Sequence, residues 1–160
     1  MKKDVLLASC FGLGKIPWAP GTWVSLPPVV AYQVLGYLGP AFNVYVMGLF
    51  VVAGVAMYLG GLSARESLAP EAWRQIVADK LAGQGLTMFI IALLRPVGIC
   101  NSMAVGFALF RLIDIVTVGP LKECCGAKPS LRTLLTTLVC GAAGGSLSIV
   151  VMRTLPGYFD

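Results

Sequence analysis

From Ile16 to Ala64 the chain carries no Asp, Glu, Lys or Arg, and from Thr133 to Met152 it again carries none. A helix lying against water needs a polar face, so runs of this kind belong in a core or in a membrane. Composition decides between the two. Of the 160 residues, 58% are hydrophobic and 12% are charged. An ordinary soluble domain has about 45–50% apolar and about 25% charged residues. That argues against a soluble enzyme, a disordered chain or a basic nucleic-acid-binding face. A net charge of +5 on so apolar a chain points to a membrane surface rather than to nucleic acid. The length suits one domain, 1–160.

Prolines and glycines divide the chain. Pro17, Pro20, Pro27 and Pro28 interrupt residues 11–28, so we expect no single regular element there. A helix is expected from near Ser25 to Leu38, with Gly39-Pro40 as the turn after it. Ala41 to Gly61 follows, and at about 1.5 Å per residue it reaches roughly 30 Å, enough to cross a bilayer core. Residues 62–80 are the most polar stretch, and Pro70-Glu71 reads as a helix start. Leu81 to Leu94 and Val97 to Val118 are two more apolar segments, divided at Arg95-Pro96. A polar loop is expected over 119–132 and a last helix over 133–152. That helix contains Gly141-x-x-x-Gly145, a spacing that lets membrane helices approach closely.

Basic residues cluster at the N-terminus (Lys2, Lys3, Lys15), in 62–80 and in 119–132. Apolar hairpins between these regions would bring all three to one side, which the positive-inside rule makes cytoplasmic. There is no strand alternation and no internal repeat. The expected fold is all-α, a compact bundle of about five or six helices, largely membrane-embedded.

The chain has no histidine, which removes Ser-His-Asp and Cys-His catalysis and the usual zinc sites. Five cysteines (Cys10, Cys100, Cys124, Cys125, Cys140), an odd number with no C-x-x-C, read as reduced thiols rather than a disulfide framework. Charge inside apolar segments is costly, so those residues are the informative ones. Arg111 and Asp114 lie three apart and share a helix face, as a structural ion pair or as part of a site. Asp79-Lys80 opens an apolar segment; a carboxylate there can hold a divalent cation or simply end a helix in water. Thr22 and Ser25 put hydroxyls at a helix entry. Such an entry either attracts phosphate through its N–H groups and dipole or is merely capped.

Four motifs in order give the chain a resemblance. Phe11, Gly12, Gly14, Pro17, Pro20, Gly21, Thr22 and Ser25 match F-G-x-G-x-x-P-x-x-P-G-T-x-G-S, with Val24 in place of a Gly. Asp79 and Gly83 match D-E-x-x-G, with Lys80 in place of the Glu. Phe110, Arg111, Asp114 and Pro120 match F-R-x-x-D-x-x-K-P-x-P-I, with Thr117, Val118 and Leu121 as departures. Gly141 closes an I-D-D-x-x-A-G element in which Thr136 and Thr137 replace both aspartates. In these motifs the chain resembles the phosphatidylglycerophosphatase A family.

The resemblance implies a helical enzyme of the bacterial inner membrane with its active site facing the cytoplasm. The implied reaction is Mg²⁺-dependent removal of phosphate from phosphatidylglycerol phosphate, giving phosphatidylglycerol. It makes Asp79 and Asp114 the carboxylates for Mg²⁺, which takes one or two of them plus water and phosphate oxygens. It makes Arg111 a catalytic phosphate clamp, and it gives Gly21, Thr22, Ser25 and Lys80 to substrate binding. With acidic residues missing at 80, 136 and 137, two expectations stand. Either Lys80 supplies part of the metal's charge and turnover survives, or the chain is a catalytically inactive relative that binds lipid or has a structural role. A small channel subunit built on the Arg111–Asp114 face is a third, weaker reading.

Overall fold

The computed structural model describes residues 3–64, 73, 75–94, 99–125 and 130–154. Among them every element is helical: α1 (Lys3–Ala8), a short 3₁₀ turn (Leu13–Lys15), α2 (Pro20–Gly36), α3 (Pro40–Ala64), α4 (Ala78–Leu94), α5 (Ile99–Cys125) and α6 (Leu131–Thr154). The expected helix start at Pro70-Glu71 and the break at Arg95-Pro96 lie outside the described residues, as do Lys2, Arg65, Arg74 and Lys128 of the basic clusters.

The centre of the bundle is α4, which packs against α2, α3, α5 and α6. Small residues make this possible. A Cβ on Gly54 of α3 would lie 2.6 Å from the Ala82 nitrogen, and one on Gly85 would lie 3.1 Å from Phe50 Cβ. A Cβ on Gly141 of α6 would overlap the carbonyl oxygen of Gly83. Helices this close gain dispersion contacts along their backbones, which drive association where no hydrophobic effect acts between them. Gly145 meets Ile90 on the same seam, so the Gly141-x-x-x-Gly145 spacing does face a neighbouring helix. The Thr87 hydroxyl sits across the seam, 3.0 Å from the Gly141 carbonyl and 3.2 Å from that of Gly83.

Two apolar clusters fill most of the rest. One joins Ala8, Val24, Tyr58, Ile76, Leu81 and Leu134; the other joins Val29, Tyr32, Met47, Met88, Ile91 and Met152. Cys10 and Cys140 are free thiols buried in the core. Outside, the surface is also apolar: Tyr45, Leu49 and Val52 on α3, Leu112, Ile115 and Val116 on α5, and Leu135, Val139 and Val150 on α6 are exposed. Pro40–Ser63 and Leu131–Thr154 are long and apolar enough to cross a membrane. With so much of their apolar surface facing outward, they are consistent with membrane association.

Two expectations need correction. The second helix begins at Pro20, not near Ser25, and carries Pro27 and Pro28 in its interior. Each proline costs a ladder hydrogen bond, worth with its ring clash about 3 kcal/mol. Its fixed φ is nonetheless helical, and burial of Val24, Pro28, Val29 and Tyr32 holds the segment in place. Likewise α5 runs on to Cys125 through residues 119–125, where a loop was expected. Pro120 there forfeits one donor without ending the helix.

The N-terminal segment fixes where α4 starts. Val77 N donates to the Ala8 carbonyl at 3.1 Å. Gly14 leaves room for the Gln75 carbonyl, which a Cβ would displace. Thus α1 and the 3₁₀ turn clamp the residues just before Asp79 and Lys80.

Candidate functional site

Four helices meet at the first turn of α4. Asp79 and Lys80 come from α4, Arg111 and Asp114 from α5, Thr22 from α2 and Thr137 from α6. Lys80 Nζ lies 2.6 Å from Asp114 Oδ1 and 3.0 Å from Asp79 Oδ2. On its other oxygen, Asp114 accepts from Arg111 Nη1 at 3.0 Å. Arg111 Nη2 donates to the Thr22 hydroxyl at 3.1 Å. Thr137 Oγ1 accepts from Lys80 Nζ at 3.3 Å and lies 3.1 Å from Asp79 Oδ2. The hydroxyl also lies 3.0 Å from the Thr133 carbonyl, so its one proton is shared between two acceptors.

Asp79, Lys80, Asp114 and Thr137 are all buried. Taking an ion out of water costs several kcal/mol, and only good geometry with further hydrogen bonds offsets that. Here the offset is mutual, since two acids face two bases. Burial alone would lower the Lys80 pKa; attraction to Asp79 and Asp114 and its hydrogen bonds to them outweigh that, and the group lies above its ordinary value of 10.5. Lys80 is therefore an ammonium at any physiological pH.

The helix entry contributes less than its hydroxyls suggest. Ala19, in the left-handed region at φ 46°, accepts from Thr22 N at 2.8 Å and from Trp23 N at 3.4 Å. Two of the N–H groups expected to attract phosphate are thus engaged. The Ser25 hydroxyl donates to the Gly21 carbonyl at 2.8 Å, and Ser25 is fully buried. Gly21 lies beside both cations; a Cβ there would sit 3.4 Å from Lys80 Cγ and 3.5 Å from Arg111 Nη1. The structure therefore brings Asp79, Lys80, Arg111, Asp114, Thr22 and Gly21 together, while the Ser25 hydroxyl is turned to its own helix.

Two residues were not singled out as site residues. Thr137 touches both Lys80 and Asp79; its signal was its place where the resembled motif has an aspartate. The neighbouring Thr136 bonds the Arg132 carbonyl on the exposed side and takes no part. Gln84 is fully buried one turn after Lys80, with neither amide atom hydrogen-bonded. Its signal was a lone amide inside the apolar segment Leu81 to Leu94.

The donor set does not fit a divalent ion as it stands. The facing oxygens of Asp79 and Asp114 are both bound to the Lys80 ammonium. An ammonium and Mg²⁺ would repel each other across this gap. Among the described residues no group of three or more His, Cys, Asp or Glu is gathered for a metal.

No curated protein and no solved structure matches the chain. The sequence profile of the family described as phosphatidylglycerophosphatase A matches residues 6–152. That stretch takes in α2, α4, α5, all but the last two residues of α6, and every residue of the cluster. Nearly the whole chain is covered, and it belongs to the phosphatidylglycerophosphatase A family.

Proposed function

We propose that the chain binds phosphatidylglycerol phosphate at the α4–α5 cluster, on the cytoplasmic face of a bacterial inner membrane, and removes its terminal phosphate. The observation that supports this is convergence. In a chain that is 12% charged, four ionic side chains from motif-bearing segments meet at one buried point. Arg111 offers a planar fork for two phosphoryl oxygens, with Thr22 beside it. Lys80 adds a second positive charge against the negative charge that builds up on those oxygens. Asp79 is the carboxylate not paired to Arg111, and accepts the proton of the attacking water. As that water's oxygen bonds to phosphorus, the bond to the glycerol oxygen breaks and this oxygen takes up a proton. The exposed apolar flanks of α3 and α6 leave the acyl chains in the bilayer.

A second reading has its own observation. Both carboxylates are engaged by Lys80 and Arg111, which suits binding a phosphomonoester headgroup without turnover. One assay separates the two. Phosphate release from phosphatidylglycerol phosphate in mixed micelles is measured with Mg²⁺ and with chelator, beside Asp114→Asn. Release that is lost in the variant supports the phosphatase. No release from folded protein that retains the lipid supports the binding protein.

A further inference from the structure

We propose that the ammonium of Lys80 takes the seat a divalent cation would need, so that this protein engages its phosphomonoester ligand without divalent metal. Three oxygens from three groups surround Nζ: Asp114 Oδ1 at 2.6 Å, Asp79 Oδ2 at 3.0 Å and Thr137 Oγ1 at 3.3 Å. They come from three helices and are buried. This is an oxygen-lined cation cage whose occupant is tethered to its wall. A lysine on a helix usually carries its ammonium outward to water. Here it turns into the bundle, where two carboxylates would otherwise repel each other.

The tether has chemical consequences. A hard divalent ion brings waters and open coordination positions, and it lowers the pKa of a bound water. An ammonium brings charge and three donors only. Lys80 thus supplies a compensating positive charge but no metal-bound water of lowered pKa. Thr137 belongs to this arrangement. Its hydroxyl both accepts from Lys80 and lies against Asp79, which a carboxylate beside an ammonium and a second carboxylate would do at the expense of one more uncompensated charge. The oxygen at 137 is therefore neutral because the cation in the cage carries a single charge. Asp79, Asp114, Lys80 and Arg111 then sum to zero.

The proposal rests on the phosphomonoester reading for its ligand, but not for its cage. Mn²⁺ is therefore the first probe, followed by electron paramagnetic resonance on the full chain in detergent. Wild-type protein is expected to take up no stoichiometric Mn²⁺, and Lys80→Met is expected to take up a stoichiometric ion that Asp79→Asn in the same background removes. Stoichiometric Mn²⁺ in wild type, lost in Asp79→Asn, would overturn the proposal, as would a folded Lys80→Met that binds none. Should Lys80→Met fail to fold, Lys80→Gln takes its place, and the wild-type arm decides in either case. The ligand arm is retention of phosphatidylglycerol phosphate in nanodiscs with chelator or Mg²⁺. Retention equal within about twofold supports metal independence, and loss of retention in chelator overturns it. If the lipid is not retained in either condition, the phosphomonoester reading fails, and the Mn²⁺ arms still decide the cage.

Discussion

Lys80 Nζ and Asp114 Oδ1 are 2.6 Å apart, although 34 residues separate them in sequence. This contact joins the first turn of α4 to the middle of α5, and Arg111 holds the other oxygen of the same carboxylate. Asp114 is thus the shared anion of two buried cations.

Asp114→Asn keeps the shape and removes that anion. Asp79 is then the one carboxylate left against Lys80, and Arg111 keeps hydrogen bonds to neutral groups only among these partners. The expected loss of stability is about 3–5 kcal/mol, the cost of leaving buried charge uncompensated. Denaturant unfolding in mixed micelles checks this. A change within about 0.5 kcal/mol, the size expected at an unremarkable surface position, would mean that the cluster is solvated.

The raised Lys80 pKa fixes a pH dependence and its sign. A cation whose folded pKa exceeds its unfolded one contributes stability that is fully present below the unfolded value. That value is near 10.5, and the contribution is lost only as pH rises through the higher folded value. Lys80 should therefore make the melting temperature no more pH-sensitive between neutrality and mild alkali, and should add a decline above that. Comparing melting curves of wild type and Lys80→Met checks this: the alkaline decline should be smaller in the variant.

Gly141→Ala places a methyl group on the Gly83 carbonyl. Backbone cannot yield as a flexible side chain does, so α4 and α6 must separate, at a cost of about 1–3 kcal/mol. Thr137 lies one turn earlier on α6, so lipid retention should weaken as well. Gly60→Ala is the control, since nothing lies within 4 Å of that added methyl. It should be neutral or slightly stabilising, because Ala is favoured over Gly in a helix by about 1 kcal/mol. Thermal unfolding of the two variants checks the contrast.

Gln84→Met swaps a buried amide with no hydrogen-bonding partner for an apolar chain of similar length. If the amide serves no ligand, stability should rise by about 1–3 kcal/mol with lipid retention unchanged. Retention that falls while stability rises would place the amide against the bound headgroup.

The charge-free runs made the helical architecture legible, because no other regular element satisfies every backbone group within one apolar segment. The i, i+3 spacing put Arg111 and Asp114 on one face, and the structure pairs them at 3.0 Å. Two things were out of reach. Proline rules placed the start of α2 too late, since tertiary burial of Pro28 and Val29 outweighs a local penalty. The partners of Lys80 were hidden because the contacts with Asp114 and Thr137 depend on how three helices dock, which no local spacing encodes.

The balance of charge in the cluster governs how a ligand arrives. Two positive and two negative groups packed within a few ångströms make a multipole whose field dies away much faster than that of a lone charge. An anionic headgroup diffusing in the bilayer therefore feels little pull from this cluster until it touches the site. Its oxygens compete with the Asp114 carboxylate and the Thr22 hydroxyl for the Arg111 donors, so capture is a competition fought at close range.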